Sequence, residues 1–289
     1  MKIACGIEYD GTDYHGFQRQ RADHGPTVQG VLEAAIAHIS GVASVVHGAG
    51  RTDAGVHASG QVIHFQTGSR LTPAVWMRAL NAVLPNTIAV RWLKEVPEHF
   101  HARFSAVSRS YRYTIWNDVE YQAPTALLAR YSYYCPRVLA VDLMQDACRL
   151  LLGRRDFGAF GRSPDETNPG KGEGQDDRKT DKSAPMVRTV RTMLEASCRR
   201  EARYLAWGAG NRGTMKGACI YCDFTADAFL TGMVRRIVGT LLLVGQRRLS
   251  LDEFASIVQR AEKTHPGSAA PPHGLCLVRV NYPEEFGVE

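Results

Sequence analysis

The 289-residue chain has no uninterrupted apolar run of about eighteen residues, the length a bilayer-spanning helix needs, so no membrane span is expected. Its opening residues, Met1-Lys2-Ile3-Ala4-Cys5, pass directly into a strand-like pattern and lack the apolar stretch and cleavage site of a signal peptide. The seven cysteines are odd in number and scattered, which reads as reduced thiols in a cytoplasm. Cys219 and Cys222 form a C-x-x-C, but on a strand residues three apart point to opposite faces, which argues against a shared zinc or a redox pair. Gly48-Ala49-Gly50 lacks the third glycine and the following helix of a dinucleotide fingerprint, and no P-loop, H-E-x-x-H or G-x-S-x-G pattern occurs. Clustered carboxylates, which a metal-dependent nuclease needs, are also missing. No metal site is therefore expected.

Hydrophobic residues make up 44% of the chain, ordinary for a globular protein, and the net charge is +6. A basic balance suits a polyanion such as nucleic acid, although charge alone does not separate that from a soluble protein with a slight cationic excess.

Periodicity gives the order of elements. Residues 2–9 read as a strand, and 27–39 as a helix with Val28, Leu32, Ala35, Ile36 and Ile39 on one stripe. A strand over 44–49, a glycine-containing loop and an alternating strand over 61–66 follow. Thr72-Pro73 opens a helix carrying Val75, Trp76, Ala79, Leu80 and Val83 inward, with Thr72 as N-cap. Residues 88–96 are a strand. That order, βαββαβ, is a ferredoxin-like unit. A similar order recurs: strands over 107–116, 187–198, 217–225 and 275–281, with helices over 141–152, 229–244 and 251–261, and a short strand over 131–135. The expected fold is α+β: two ferredoxin-like halves, 1–104 and 105–289, around a mixed or antiparallel sheet with a binding cleft between them. Residues 161–185 lack apolar periodicity and read as an inserted surface loop.

One stretch concentrates the chemistry: Gly48-Ala49-Gly50-Arg51-Thr52-Asp53-Ala54-Gly55-Val56-His57-Ala58. Small residues let the backbone turn tightly and a ligand approach closely. A carboxylate beside a guanidinium stays ionised, which suits a nucleophile or a base. Taken singly, Asp53 reads equally well as a turn residue and Arg51 as a solvated charge. Further on, alternation puts Val107, Arg109, Tyr111, Tyr113 and Ile115 on one strand face. An arginine and tyrosines side by side suit a stacked base and its phosphate, or a half-buried strand with tyrosines at its margin. Arg235 and Arg236 flank an apolar helical stripe on opposite sides, and helical geometry does not say which meets the cleft. The segment Tyr9 to Gln20 reads either as an RNA contact or as a plain loop. A non-catalytic protein built on two RNA-recognition units explains the charge and the aromatic strand, but not the arginine-aspartate loop.

Together these segments resemble the tRNA pseudouridine synthase A (TruA) family. Tyr9-Asp10-Gly11-Thr12, Gly16-Phe17-Gln18-Arg19-Gln20, Thr27-Val28-Gln29-Gly30 and the aspartate loop are similar to its first motifs. Phe100-His101-Ala102-Arg103-Phe104 with Arg109-Ser110-Tyr111-Arg112-Tyr113 is similar to the central one. Met233-Val234-Arg235-Arg236-Ile237-Val238-Gly239 and Ala270-Pro271-Pro272-His273-Gly274-Leu275 resemble the last. The resemblance implies the pseudouridine synthase fold and a cofactor-free isomerisation of uridine to pseudouridine in the anticodon stem-loop of tRNA, at positions 38 to 40. It implies Asp53 as the catalytic aspartate, Tyr111 as the residue packing on the target base, and Arg51 and Arg235 as the arginines around the aspartate. It further implies a cytoplasmic homodimer in which one tRNA contacts both subunits. The chain departs from the family at Arg155-Asp156-Phe157, where a histidine is usual in place of Arg155, and in long segments over 161–185 and 199–216. The second of these carries Arg199, Arg200, Arg203, Arg212 and Lys216, and is expected to extend the grip on tRNA.

Overall fold

The computed structural model describes residues 1–20, 25–120, 122–161, 189–203, 217–260 and 267–288. The expected loop over 161–185, apart from Gly161, lies outside the described residues, as do Arg212 and Lys216 of the second basic connection.

Among the described residues, ten strands form one mixed sheet. The strands are β1 (Lys2–Tyr9), β2 (His47–Gly48), β3 (His57–Gln66), β4 (Ile88–Val96), β5 (Ser108–Asn117), β6 (Tyr133–Tyr134), β7 (Gly153–Asp156), β8 (Val190–Arg203), β9 (Gly217–Ala226) and β10 (Leu275–Asn281). They run in the order β4-β1-β3-β10-β5-β9-β8-β7, with β2 paired to β3 and β6 to β5. The helices are α1 (Val28–Ser40), α2 (Pro73–Val83), α3 (Val141–Arg149), α4 (Met233–Gly245) and α5 (Leu251–Arg260).

The C-terminal strand does the joining. β10 runs antiparallel to β5, with Leu277 opposite Tyr111, and parallel to the start of β3, with His57 opposite Cys276. One main hydrophobic core follows, from Ile3 and Phe65 through Tyr113 and Leu277 to Phe224 and Leu241, all at most 1% exposed.

Several element boundaries differ from the sequence reading, each for a local reason. The strand expected over 44–49 is only His47–Gly48, because side chains of α1 take its backbone groups: Val46 donates to Glu33 Oε1, and Gln29 Nε2 donates to Val46 O. β3 starts at His57, four residues early, since its first pairs are with β10. Thr72 makes no side-chain cap bond, and Val83 of α2 is exposed rather than buried. Val107 precedes its strand and is exposed. α4 begins at Met233 rather than Phe229, because Gly232 adopts φ 72°, a left-handed conformation that stops the helix from extending backwards. β7, an edge strand reading Gly-Arg-Arg-Asp, has no apolar alternation to mark it in the sequence.

His47 on β2 and His64 opposite it on β3 cluster with His101. His64 stacks on His47 at 4.8 Å and meets His101 edge-on at 4.6 Å. His64 Nδ1 accepts the Ala102 amide, and His101 Nδ1 accepts the Arg103 amide. Burial, then the neighbouring His101 and His47 and Lys2, pushes His64 down to about 3. Burial, then His47, Lys2 and Arg103, takes His101 to about 4. These groups are neutral when folded, whereas the unfolded chain takes up protons below about pH 6.5. Stability is therefore complete above that pH and falls with acid through the interval down to about 3 to 4. The urea midpoint is expected to drop between pH 7 and pH 5, and less steeply in His64→Gln. Equal slopes in parent and variant would contradict this.

Candidate active site

Asp53 lies in the turn joining β2 to β3, and the turn is held from every side. Ala49 N donates to Val62 O at 2.8 Å and Val56 N to Asp53 O at 3.1 Å. Gln61 grips Gly50 twice, accepting its amide at 3.2 Å and donating to its carbonyl at 2.7 Å. Buried Thr52 bonds Tyr9 Oη through its hydroxyl at 2.8 Å and accepts the Phe17 amide at 3.1 Å. Gly55 N donates to Tyr14 O. The segment following β1 thus backs the aspartate turn with buried Tyr14 and Phe17. One glycine of the turn acquires a different reason from the one expected: a Cβ on Gly48 would stand 2.5 Å from the Phe17 ring, so its smallness makes room for packing rather than for a nucleotide.

The carboxylate of Asp53 pairs with Arg235, Nη1 to Oδ2 at 3.0 Å, across 182 positions of sequence. Arg235 comes from the first turn of α4. Its Nε donates to Ala270 O at 2.8 Å, and its own carbonyl accepts the Ala270 amide at 2.9 Å. The guanidinium is thereby aimed before it meets the acid. Both side chains keep partial exposure, 34% for Asp53 and 21% for Arg235, so the pair faces an opening. Arg236 turns away and donates to Phe160 O.

Tyr111, on β5, is buried and set edge-on against Phe229 at 5.0 Å. Burial, then neighbouring Tyr9 and Asp53, raises its hydroxyl well above the usual phenol range. It is a donor at neutral pH and not a base. The same strand face corrects the wider reading of a base-and-phosphate platform. Arg109 is 8% exposed, and its guanidinium donates to the carbonyls of Ala49, Ala106, Asp227 and Arg103, which makes it a strut beneath the aspartate turn. Tyr113 is fully buried and donates to Pro271 O. Of that face, Tyr111 carries the ring that meets the cavity beside Asp53.

His57, only four residues from Asp53, does not line the cavity that Asp53 faces. Its Nδ1 lies 3.0 Å from the Gly11 amide and 3.2 Å from Asp10 Oδ1, and its Nε2 lies 2.8 Å from Arg130 O and 3.2 Å from His273 O. Nδ1 cannot accept from Gly11 and also donate to Asp10. With two carbonyls at Nε2, that nitrogen carries a proton, and the ring latches the loop after β1 to the segments around Arg130 and His273. Asp10 also pairs with Arg130 at 3.3 Å.

Asp53, Arg235, Tyr111 and Arg109 belong to the wall of a cavity of about 330 Å³, at the small end of the range of about 300–1,000 Å³ for ligand sites. Asp53, Arg51, Arg235 and Tyr111, the four residues singled out from the sequence, all line it. So do Arg103, Arg191 and Phe229, which the sequence reading gave no role. Arg103 lies inside the central motif, Phe229 at the expected start of a helix, and Arg191 carries no local signal. Against one carboxylate the walls hold five arginines, counting Arg109. Among the described residues no group of His, Cys, Asp and Glu is placed to hold a metal ion. Cys222 packs in the main core, with its sulfur 2.7 Å from that of Cys198, while Cys219 sits on the other face with Trp116 and Tyr221.

A family model described as tRNA pseudouridine synthase matches residues 6–105 and 147–283. The chain is 38% identical over 288 residues to tRNA pseudouridine synthase A of Pseudoalteromonas atlantica, spanning 100% of this chain and 95% of that one. It is 40% identical over 283 residues to the protein of that name from Roseiflexus castenholzii, spanning 98% and 91%. With the protein of that name from Blochmanniella pennsylvanica it shares 37% identity over 288 residues, 100% and 95% of the two chains.

Proposed function

Because the chain belongs to the tRNA pseudouridine synthase family, we propose that it isomerises uridine to pseudouridine in the anticodon stem-loop of tRNA, at positions 38, 39 and 40, with Asp53 as the catalytic group. One observation carries the assignment of Asp53: a single carboxylate, aimed by Arg235, opens into a small cavity beside an aromatic ring and a surplus of guanidinium groups.

The chemistry needs little else. The N1–C1′ bond of the uridine breaks, the uracil turns, and a C5–C1′ bond forms. The proton leaves C5, N1 gains one, and no atom is added or lost overall. A paired uridine must first leave the stack, at a cost of about a few kcal/mol. Asp53 supplies the reacting carboxylate, whether it attacks the ribose, attacks the pyrimidine or removes a ribose proton. Arg235 holds that carboxylate in place. Tyr111 stacks on the extruded uracil, and Arg51, exposed at the mouth, fills the vacated position in the stem or holds a phosphate.

The ring of Tyr111 is the part that acts. Tyr111→Phe is expected to keep single-turnover pseudouridine formation within about tenfold of the parent. Tyr111→Ala, which removes a stacking face worth about 1–3 kcal/mol, is expected to lose about ten- to a hundredfold. Nucleoside analysis of digested tRNA transcripts reads both. An inactive, folded Tyr111→Phe would transfer the role to the hydroxyl.

The strand order also supports reading the protein as two ferredoxin-like halves, 1–104 and 105–289. β4-β1-β3-β2 in the first and β10-β5-β9-β8 in the second have the same succession of elements, with β7 added at the edge. The family match is likewise split into two blocks. We take the enzyme to be a homodimer in which one tRNA contacts both subunits, on the strength of the family resemblance. A cytoplasmic setting follows from where the substrate is found. No described helix is long and apolar enough to cross a membrane.

A further inference from the structure

One residue of the central motif has no task in the reaction described above. Phe104 is 57% exposed, whereas Phe100 and Ala102 of the same segment are fully buried. The turn that carries it is fixed. Ser105 N donates to His101 O at 2.9 Å, and Ser105 Oγ accepts the His101 amide at 3.0 Å. His101 Nδ1 accepts two successive amides, those of Arg103 at 3.1 Å and Phe104 at 3.3 Å. A large apolar side chain is thus kept in solvent by a bonded turn rather than left there by a loose one.

The ring does not stand alone. It lies 4.4 Å from the ring of His101 at a tilt of 34°, and His101 lies 5.3 Å from His47, which is exposed. The three rings make one shelf, and β2, which carries His47, leads directly into the aspartate turn. Burial lowers the proton affinity of both histidines, so at neutral pH they present uncharged rings. Glu33, the acid that acts on His47, is paired with Arg19 at 3.0 Å. Arg103 joins the shelf to the site. It lines the cavity that Asp53 faces, and its guanidinium carbon stands 5.6 Å from the centre of the Phe104 ring.

An aromatic ring with a cation over it is what single-stranded nucleic acid sites are built from, the ring meeting a base and the charge meeting the backbone. A uridine turned into the cavity leaves each neighbouring base without the face it stacked on. A ring at the rim replaces that face and accepts any base, because every base has a π-face. That tolerance suits an enzyme whose targets at positions 38, 39 and 40 have different neighbours.

We propose that Phe104, backed by His101 and His47, is the stacking platform for a base next to the extruded uridine. This rests on the pseudouridine synthase reading and adds a substrate contact outside the cavity, separate from the tyrosine that takes the uracil itself.

The test uses the full-length enzyme and three anticodon stem-loop RNAs: one unmodified, and two with an abasic site at the 5′ or the 3′ neighbour of the target uridine. Phe104→Ala should bind the unmodified RNA about tenfold more weakly than the parent. Phe104→Leu, which stays apolar but loses the ring, should be weakened as much, and Phe104→Trp should bind like the parent. With one abasic RNA, parent and Phe104→Ala should bind alike; with the other, the difference should persist. The melting temperature and the slope of log affinity against log salt should not change, since an exposed ring supplies neither core packing nor an ion pair. The proposal is overturned if Phe104→Ala or Phe104→Leu binds the unmodified RNA like the parent, or if the difference persists with both abasic RNAs. It is also overturned if affinity falls only together with stability, or if Phe104→Ala lowers the native mass, which would give the shelf to a second copy of the chain. A parent enzyme that makes no pseudouridine in the unmodified RNA would instead sink the reading on which the proposal rests.

Discussion

Asp53→Asn should make no pseudouridine while binding tRNA within about tenfold of the parent. The substitution keeps size and shape and removes the charge. The turn that carries residue 53 is fixed by Gln61, Thr52, Tyr14 and Phe17, none of which depends on the carboxylate. Folding should therefore survive. Arg235 remains tied to Ala270 O, and the arginines of the cavity wall still meet phosphate. Affinity should even gain slightly from the loss of a negative charge near the RNA backbone. A tenfold change in affinity is about 1.4 kcal/mol, small beside the loss of the reacting group. Binding and single-turnover assays on one preparation decide the matter. Residual activity near the parent level would remove Asp53 from the chemistry.

The second large effect belongs to Arg235. Its side chain does two jobs at once, with Nε on Ala270 O and Nη1 on Asp53 Oδ2. Arg235→Met leaves the carboxylate without its aimed partner. Truncating one member of a hydrogen-bonded charge pair costs about 2–5 kcal/mol when the pair is buried. This pair is partly exposed, so the lower end of that range applies. A loss of about thirty- to a hundredfold in the single-turnover rate at saturating tRNA is the expected outcome. Arg235→Lys keeps the charge but not the fork that reaches two acceptors, and should fall between parent and methionine variant. If the methionine variant reacts at the parent rate once tRNA is saturating, Arg235 is a binding residue and not the group that positions Asp53.

The first half of the fold was legible because its signals are local. Apolar stripes give α1 and α2, short apolar strand-like runs give β1 and β4, and small residues mark the aspartate turn. What stayed hidden depends on pairing across long distances. β10 lies between β3 and β5, and this draws the start of β3 back to His57, a pairing no local pattern encodes. β7 has only polar and glycine residues on an edge. The site divides in the same way. Asp53 and Arg51 were marked by their turn, and Tyr111 by strand alternation. The alternation placed Arg109 and Tyr113 on the correct face, yet their burial, which makes them struts, comes from elements remote in sequence. Which of Arg235 and Arg236 meets the aspartate depends on where α4 begins, and Gly232 sets that.

Tritium release from tRNA labelled at C5 of uridine tests the central claim most directly, because C5 must give up its hydrogen as it takes the bond to C1′. The recombinant protein alone, with no added cofactor, should release tritium from a transcript carrying uridines at positions 38 to 40. Release should vanish when those positions are cytidine. No release from the uridine transcript, or equal release from the cytidine-substituted one, would contradict the account.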